Sequence, residues 1–140
     1  MLQFTAGGIR AEVHVNIARC LLGAGDLGGA RDAAQEALQC IPLERGGRSG
    51  GGGGAGGDLL VRVLYLNGLA QAKLGQFPEA LEHLRRSLSE ARDRGEQAHQ
   101  ASALAQMALC QYALGEEAAA AASRGEAAGL LQRSAPSRPG

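Results

Sequence analysis

Apolar positions along the chain recur at intervals of three and four, the period of a helix with one buried stripe. The clearest run is Phe77, Leu81, Leu84, Leu88 and Ala91. On its wet side, Glu82 with Arg86 and Glu90 with Arg94 stand four apart as favourable ion pairs. A second run sets Leu104, Met107, Ala108 and Leu114 inward. Glycine punctuates such runs three times: Leu22-Gly23-Ala24-Gly25-Asp26-Leu27, Ala72-Lys73-Leu74-Gly75-Gln76-Phe77 and Ala113-Leu114-Gly115-Glu116-Glu117. A small residue follows five places after each turn glycine, at Ala30, Ala80 and Ala120. Each copy reads as helix, glycine stop, helix, and repetition of such a unit is the mark of a stacked helical array.

Local signals set the boundaries. In the first unit, 9–43, Gly25 can take the left-handed conformation that ends a helix over about 9–24. Asp26 then caps a helix over about 27–40, and Pro42 stops it. In the second unit, 58–94, Asp58 is expected to cap a helix over about 59–74. Pro78 suits the first turn of the next helix, which Gly95 ends. The third unit, 96–132, pairs a helix over about 96–114 with one starting near Glu116, in which Gly125 and Gly129 each cost about 1 kcal/mol relative to Ala. Residues 44–57 break the pattern with a glycine run and read as a flexible insertion. Gly75 and Gly115 are 40 apart but Gly25 and Gly75 are 50 apart, so an insertion of ten residues restores one period. Residues 133–140 read as a disordered tail. The expected fold is all-α: three antiparallel helix hairpins over 9–132, with a glycine-rich inter-repeat loop.

Composition narrows the function. Arg and Lys together number 14 and Asp and Glu 14, so the 140-residue chain has no electrostatic footprint for nucleic acid. Apolar residues make up 45% but aromatics only 3%, so Ala-rich helices approach closely while each buries little area. Cys20, Cys40 and Cys110 form neither a disulfide framework nor a CxxC site, which favours a reducing compartment. No apolar run nears the roughly 18 residues of a membrane span, and Met1 to Arg10 lacks the plan of a signal peptide. A cytoplasmic protein without membrane insertion is the expectation.

These residues resemble the tetratricopeptide repeat family. The first copy matches with Ala18, Gly25, Leu27, Ala30, Ala37 and Pro42. The second matches with Gly68, Gly75, Phe77 and Ala80, and the third with Ala108, Gly115 and Ala120. The 40-residue spacing is similar to the longer variety found in G-protein-signalling modulators, rapsyn and kinesin light chains. The resemblance implies a right-handed superhelix whose first helices line a groove for a peptide or helix of a partner protein. Carried onto this chain, the groove presents Asn16 and Arg19, then Arg62, Tyr65, Leu66, Leu69 and Lys73, then Gln106, Leu109 and Tyr112. Arg19, Arg62 and Lys73 would receive acidic side chains. Asn67, Gln71 and Glu117 depart from the pattern: the first two place amides in packing slots, and Glu117 replaces an aromatic. A buried amide without a partner costs roughly 1–3 kcal/mol, so partners or loose packing are expected there.

Reaction chemistry finds no arrangement. The glycine run has neither a preceding strand nor a Gly-Lys-Ser/Thr, so it is no phosphate cradle. His14, His83 and His99 lack partners at metal-ligand spacing, and His14 reads as an inter-helix packing histidine. Cys20 and Cys110 fall in equivalent small-residue slots and read as packing residues. The expectation is a non-catalytic scaffold or adaptor with no cofactor and no metal. The alternative is a structural fragment that self-associates through exposed repeat ends or completes a larger array.

Overall fold

The computed structural model describes residues 6–41 and 55–134. They form six helices: α1 (Ala6–Ala24), α2 (Leu27–Cys40), α3 (Ala55–Lys73), α4 (Phe77–Arg94), α5 (Gln97–Ala113) and α6 (Glu117–Ser134). No strand occurs among the described residues. Neighbours pack as hairpins α1/α2, α3/α4 and α5/α6, stacked in chain order. Across the stack α1 meets α3 and α3 meets α5, whereas α2, α4 and α6 make no backbone approach to one another.

Each turn is built the same way. Gly25, Gly75 and Gly115 all adopt positive φ, at 89°, 83° and 83°. The amide after each glycine donates back to the carbonyl five residues before it: Asp26 to Leu21 at 2.9 Å, Gln76 to Gln71 at 2.8 Å and Glu116 to Gln111 at 2.8 Å. This is the six-to-one bond of a Schellman stop. Gly95, between α4 and α5, repeats it with φ 69° and Glu96 donating to Ala91 at 2.9 Å. Asp26 caps α2 as its position implies, its side chain accepting from the Gly29 amide at 3.0 Å. At the end of α2, Ile41 is extended with ψ 123°, the conformation a following proline favours.

Several boundaries differ from expectation. α3 starts at Ala55, so residues 55–57 belong to a helix and Asp58 lies in its first turn rather than capping it. The rest of the expected 44–57 insertion lies outside the described residues. α6 runs to Ser134, two residues into the expected tail, and 135–140 lie outside the described residues. Leu114 is exposed, not inward, because it belongs to the turn that closes α5. Arg94 Nε donates to Glu96 at 3.1 Å, so its partner is the next helix's cap residue and not Glu90.

Two apolar clusters hold the stack. One joins Val15, Ala34, Ala37 and Ile41 of the first hairpin to Leu59, Val63 and Leu66 of α3. The other joins Leu81, Leu84 and Leu88 of α4 to Ala103, Leu104, Met107 and Cys110 of α5, with Leu130 of α6. Inside each hairpin a small residue lets the helices close: Ala18, Gly68 and Ala108 are equivalent and all buried. Gly68 is the tightest, since a Cβ there would stand 2.5 Å from Leu84 Cγ.

Candidate functional site

The first helices α1, α3 and α5 lie side by side and form a continuous face. Asn16, Arg19 and Lys73 are exposed on it, and Arg62, Leu69 and Gln106 are half-buried. Two links cross it. Arg62 Nη2 reaches Glu12 at 3.5 Å, and its Nε reaches Asp58 at 3.3 Å. Tyr65 hydrogen-bonds Gln106, and burial outweighs that bond to push the phenol above its ordinary range. The structure therefore joins Tyr65 to Gln106 and engages Arg62 with two carboxylates, leaving Arg19 and Lys73 as exposed cations of this face. Leu66 is a correction: it is buried in the first cluster and offers no contact surface. Leu109 and Tyr112 are exposed near the far end of the stack.

The departures at Asn67 and Gln71 resolve into hydrogen bonds. Asn67 Nδ2 donates to the carbonyls of Ala34 at 3.0 Å and Val63 at 3.1 Å, pinning α3 to α2. Its Oδ1 has no partner among the described residues. Gln71 lies at the closed end of the second hairpin. Oriented with its nitrogen inward, the amide donates to the carbonyls of Asn67 at 3.3 Å and Glu79 at 3.2 Å and to His83 Nδ1 at 2.8 Å. The reverse orientation would set its oxygen against those carbonyls.

The third hairpin repeats this clasp. Gln111 donates to the carbonyls of Met107 at 3.3 Å and Ala119 at 3.2 Å and to Ser123 Oγ at 2.7 Å. In the first hairpin the slots hold Leu21 and Ala33, which pack without polar atoms. The inter-helix histidine is thus His83; His14 is half-buried on α1. Burial lowers the His83 pKa below its ordinary value, which suits an Nδ1 that accepts. The Gln111–Ser123 half of the motif was missed in sequence, although it stands at the one period already visible.

One charged cluster was also missed. Single ligand atoms of Asp58, Glu96 and His99 lie within 4.8 Å of one another. Asp58 pairs with Arg62, Glu96 pairs with Arg94, and His99 Nδ1 is 3.6 Å from Glu96. Arg62 pairs with Asp58 within α3 and Arg94 pairs with Glu96 at the α4–α5 junction, so the cluster brings two local ion pairs side by side. Glu96 and His99 stand three apart, the available local signal; Asp58 arrives only through the stacking.

Away from the first-helix face, α4 and α6 splay over α5 and leave a shallow cleft of about 430 Å³ lined by Arg85, Leu88, Arg92, Leu104, Met107 and Glu126 among others. The Arg92–Glu126 pair, at 2.6 Å, links α4 to α6 beside it. The thiols divide by position: burial raises the Cys110 pKa, and Cys20 is exposed, contrary to its expected packing role. No helix among the described residues is long and apolar enough to cross a membrane. No protein-family model matches the chain, and no curated protein matches it at a significant level.

Proposed function

We propose that the chain is a non-catalytic protein-interaction module of the tetratricopeptide type, in which the α1/α3/α5 face receives an acidic peptide or helix of a partner. The observation that carries this reading is the asymmetry of the stack. The backbones of the first helices approach one another and those of the second helices do not, which supports a curved array with α1, α3 and α5 on the inside. The four Schellman stops and the small residues at Ala18, Gly68 and Ala108 support the family resemblance. Arg19 on α1 and Lys73 in the last turn of α3 stand exposed and supply the charge that selects acidic side chains.

The test uses fluorescent acidic helical peptides and anisotropy titration. Reversing Arg19 and Lys73 to Glu removes two contacts of roughly 1 kcal/mol each, so affinity should fall by at least about tenfold. The thermal melt should stay unchanged, because both side chains are exposed. Equal affinity of the wild type and R19E/K73E for every peptide bound would end the groove reading.

A further inference from the structure

We propose that the two ends of the stack are complementary and that copies of this chain associate head to tail, α1 of one copy taking the outer face of α5/α6 of another. The inference stands apart from the groove reading and rests on repeat register. Ile9, Val13 and Ile17 of α1 are 55%, 50% and 41% exposed. Their equivalents in α3, namely Leu59, Val63 and Asn67, are buried because the first hairpin covers them. Of their equivalents in α5, Ala103 and Met107 are buried beneath the second hairpin and His99 is half-buried beside Glu96. Cys20 follows the same rule: it is exposed, while Ala70 and Cys110 in the same slot are fully buried.

The opposite end shows the mirror of this pattern. Ile41 of the first hairpin packs over Leu59 and Val63, and its equivalent Ala91 is also buried. The third residue of that slot, Leu131, is 58% exposed. Tyr112 is 64% exposed, where Leu22 and Ala72 are half-buried against the clusters. Among the described residues, five of the eight exposed large hydrophobics therefore fall on the two end regions: Ile9, Val13 and Ile17 at one, and Tyr112 and Leu131 at the other. The surface that covers α3 and α5 inside the molecule recurs, uncovered, at the end of the third hairpin. A second copy placed one period along the stack axis continues an interface already made twice. Such a contact is heterologous and does not close on itself.

One residue limits its strength. Arg124 is exposed where Ala34 and Leu84 occupy the equivalent buried positions. It sets a guanidinium opposite the Ile17 slot, so association is weak.

Sedimentation velocity of the whole chain over roughly 10–500 µM reads the proposal, with circular dichroism as the check on folding. The wild type should show a concentration-dependent rise in sedimentation coefficient. Arg124→Ala should shift the midpoint to clearly lower concentration, since it removes the guanidinium and recreates opposite Ala108 the Ala18–Ala34 pair of the first hairpin. Ile17→Arg, which sets like charges against Arg124, and Leu131→Glu should each be monomeric throughout, yet their equimolar mixture should form a dimer and stop there. Val13→Arg replaces Ile17→Arg in the mixture if helicity is lost. A wild type that stays monomeric, an Arg124→Ala that sediments like it, or an end-blocked variant that still dimerises alone overturns the head-to-tail register.

Discussion

At the scale of single residues, side-chain volume is balanced across each hairpin. Where α4 carries Leu84, α3 carries Gly68; where α2 carries Ala34, α1 carries Ala18. A Cβ on residue 68 would lie 2.5 Å from Leu84 Cγ and 3.2 Å from the Ala80 carbonyl. Gly68→Ala gains about 1 kcal/mol of helix propensity but overpacks by about 1–3 kcal/mol, so urea melts should show a net loss. In a Leu84→Ala background, itself costing about 2–5 kcal/mol, the same change recreates the Ala18–Ala34 pair and should become neutral or stabilising. Equal destabilisation in both backgrounds would show that volume across this contact is not what residue 68 controls. The need for a small residue was legible in sequence, as was the stop at every turn glycine. The exposure of Leu114 was not, because one turn's offset moves a residue from stripe to loop. Nor was the burial of Leu66: a slot carried over from a family says which helix a residue sits on, not how closely the previous hairpin covers it.

At the scale of elements, the Gln71 clasp joins the end of α3 to the start of α4 and depends on protonation. Gln71 donates to His83 Nδ1, which must be unprotonated to accept. Burial holds the His83 pKa below 6.5, and Arg86 acts in the same direction, while the Glu79 carbonyl and Glu82 oppose them. Between the folded value and 6.5 the unfolded chain holds more protons than the folded one. Stability is therefore full above about pH 6.5 and declines as acid carries the pH down through the folded value. His83→Ser keeps an acceptor in the geometry that Ser123 already provides and cannot be protonated. Its melting temperature should fall less between pH 7 and pH 5 than the wild type's. Parallel curves for the two proteins would remove His83 as the origin of that dependence. The sequence leaves open whether Asn67 and Gln71 find partners, because the Ala34 carbonyl that holds Asn67 becomes available only once two hairpins stack. The 12-residue separation of Gln71 from His83 and of Gln111 from Ser123 was present in the sequence and could have been read as one repeated clasp.

At the scale of the whole molecule, each hairpin touches only its neighbours, so stability is a sum of hairpin terms and two shared interfaces. The α3/α4 hairpin owns a share in both interfaces; the outer hairpins own one each. α6 is further weakened by Gly125 and Gly129 and by the exposed Arg124 and Glu117, which replace Leu84 and Phe77 of the second hairpin. Opening from an end breaks one interface, whereas exposing the α3 core breaks two. Amide hydrogen exchange at low protein concentration should therefore be slowest in α3 near Leu64 and Asn67, faster in α1 and α2, and fastest in α6. Uniform protection across all six helices would mean a single cooperative unit and would remove the nearest-neighbour account. The same measurement bears on the uncovered ends. Raising the concentration into the range where copies meet should slow exchange in α1 and α6 together and leave α3 unchanged. The ends gain a neighbour by that step, and the middle hairpin already has two.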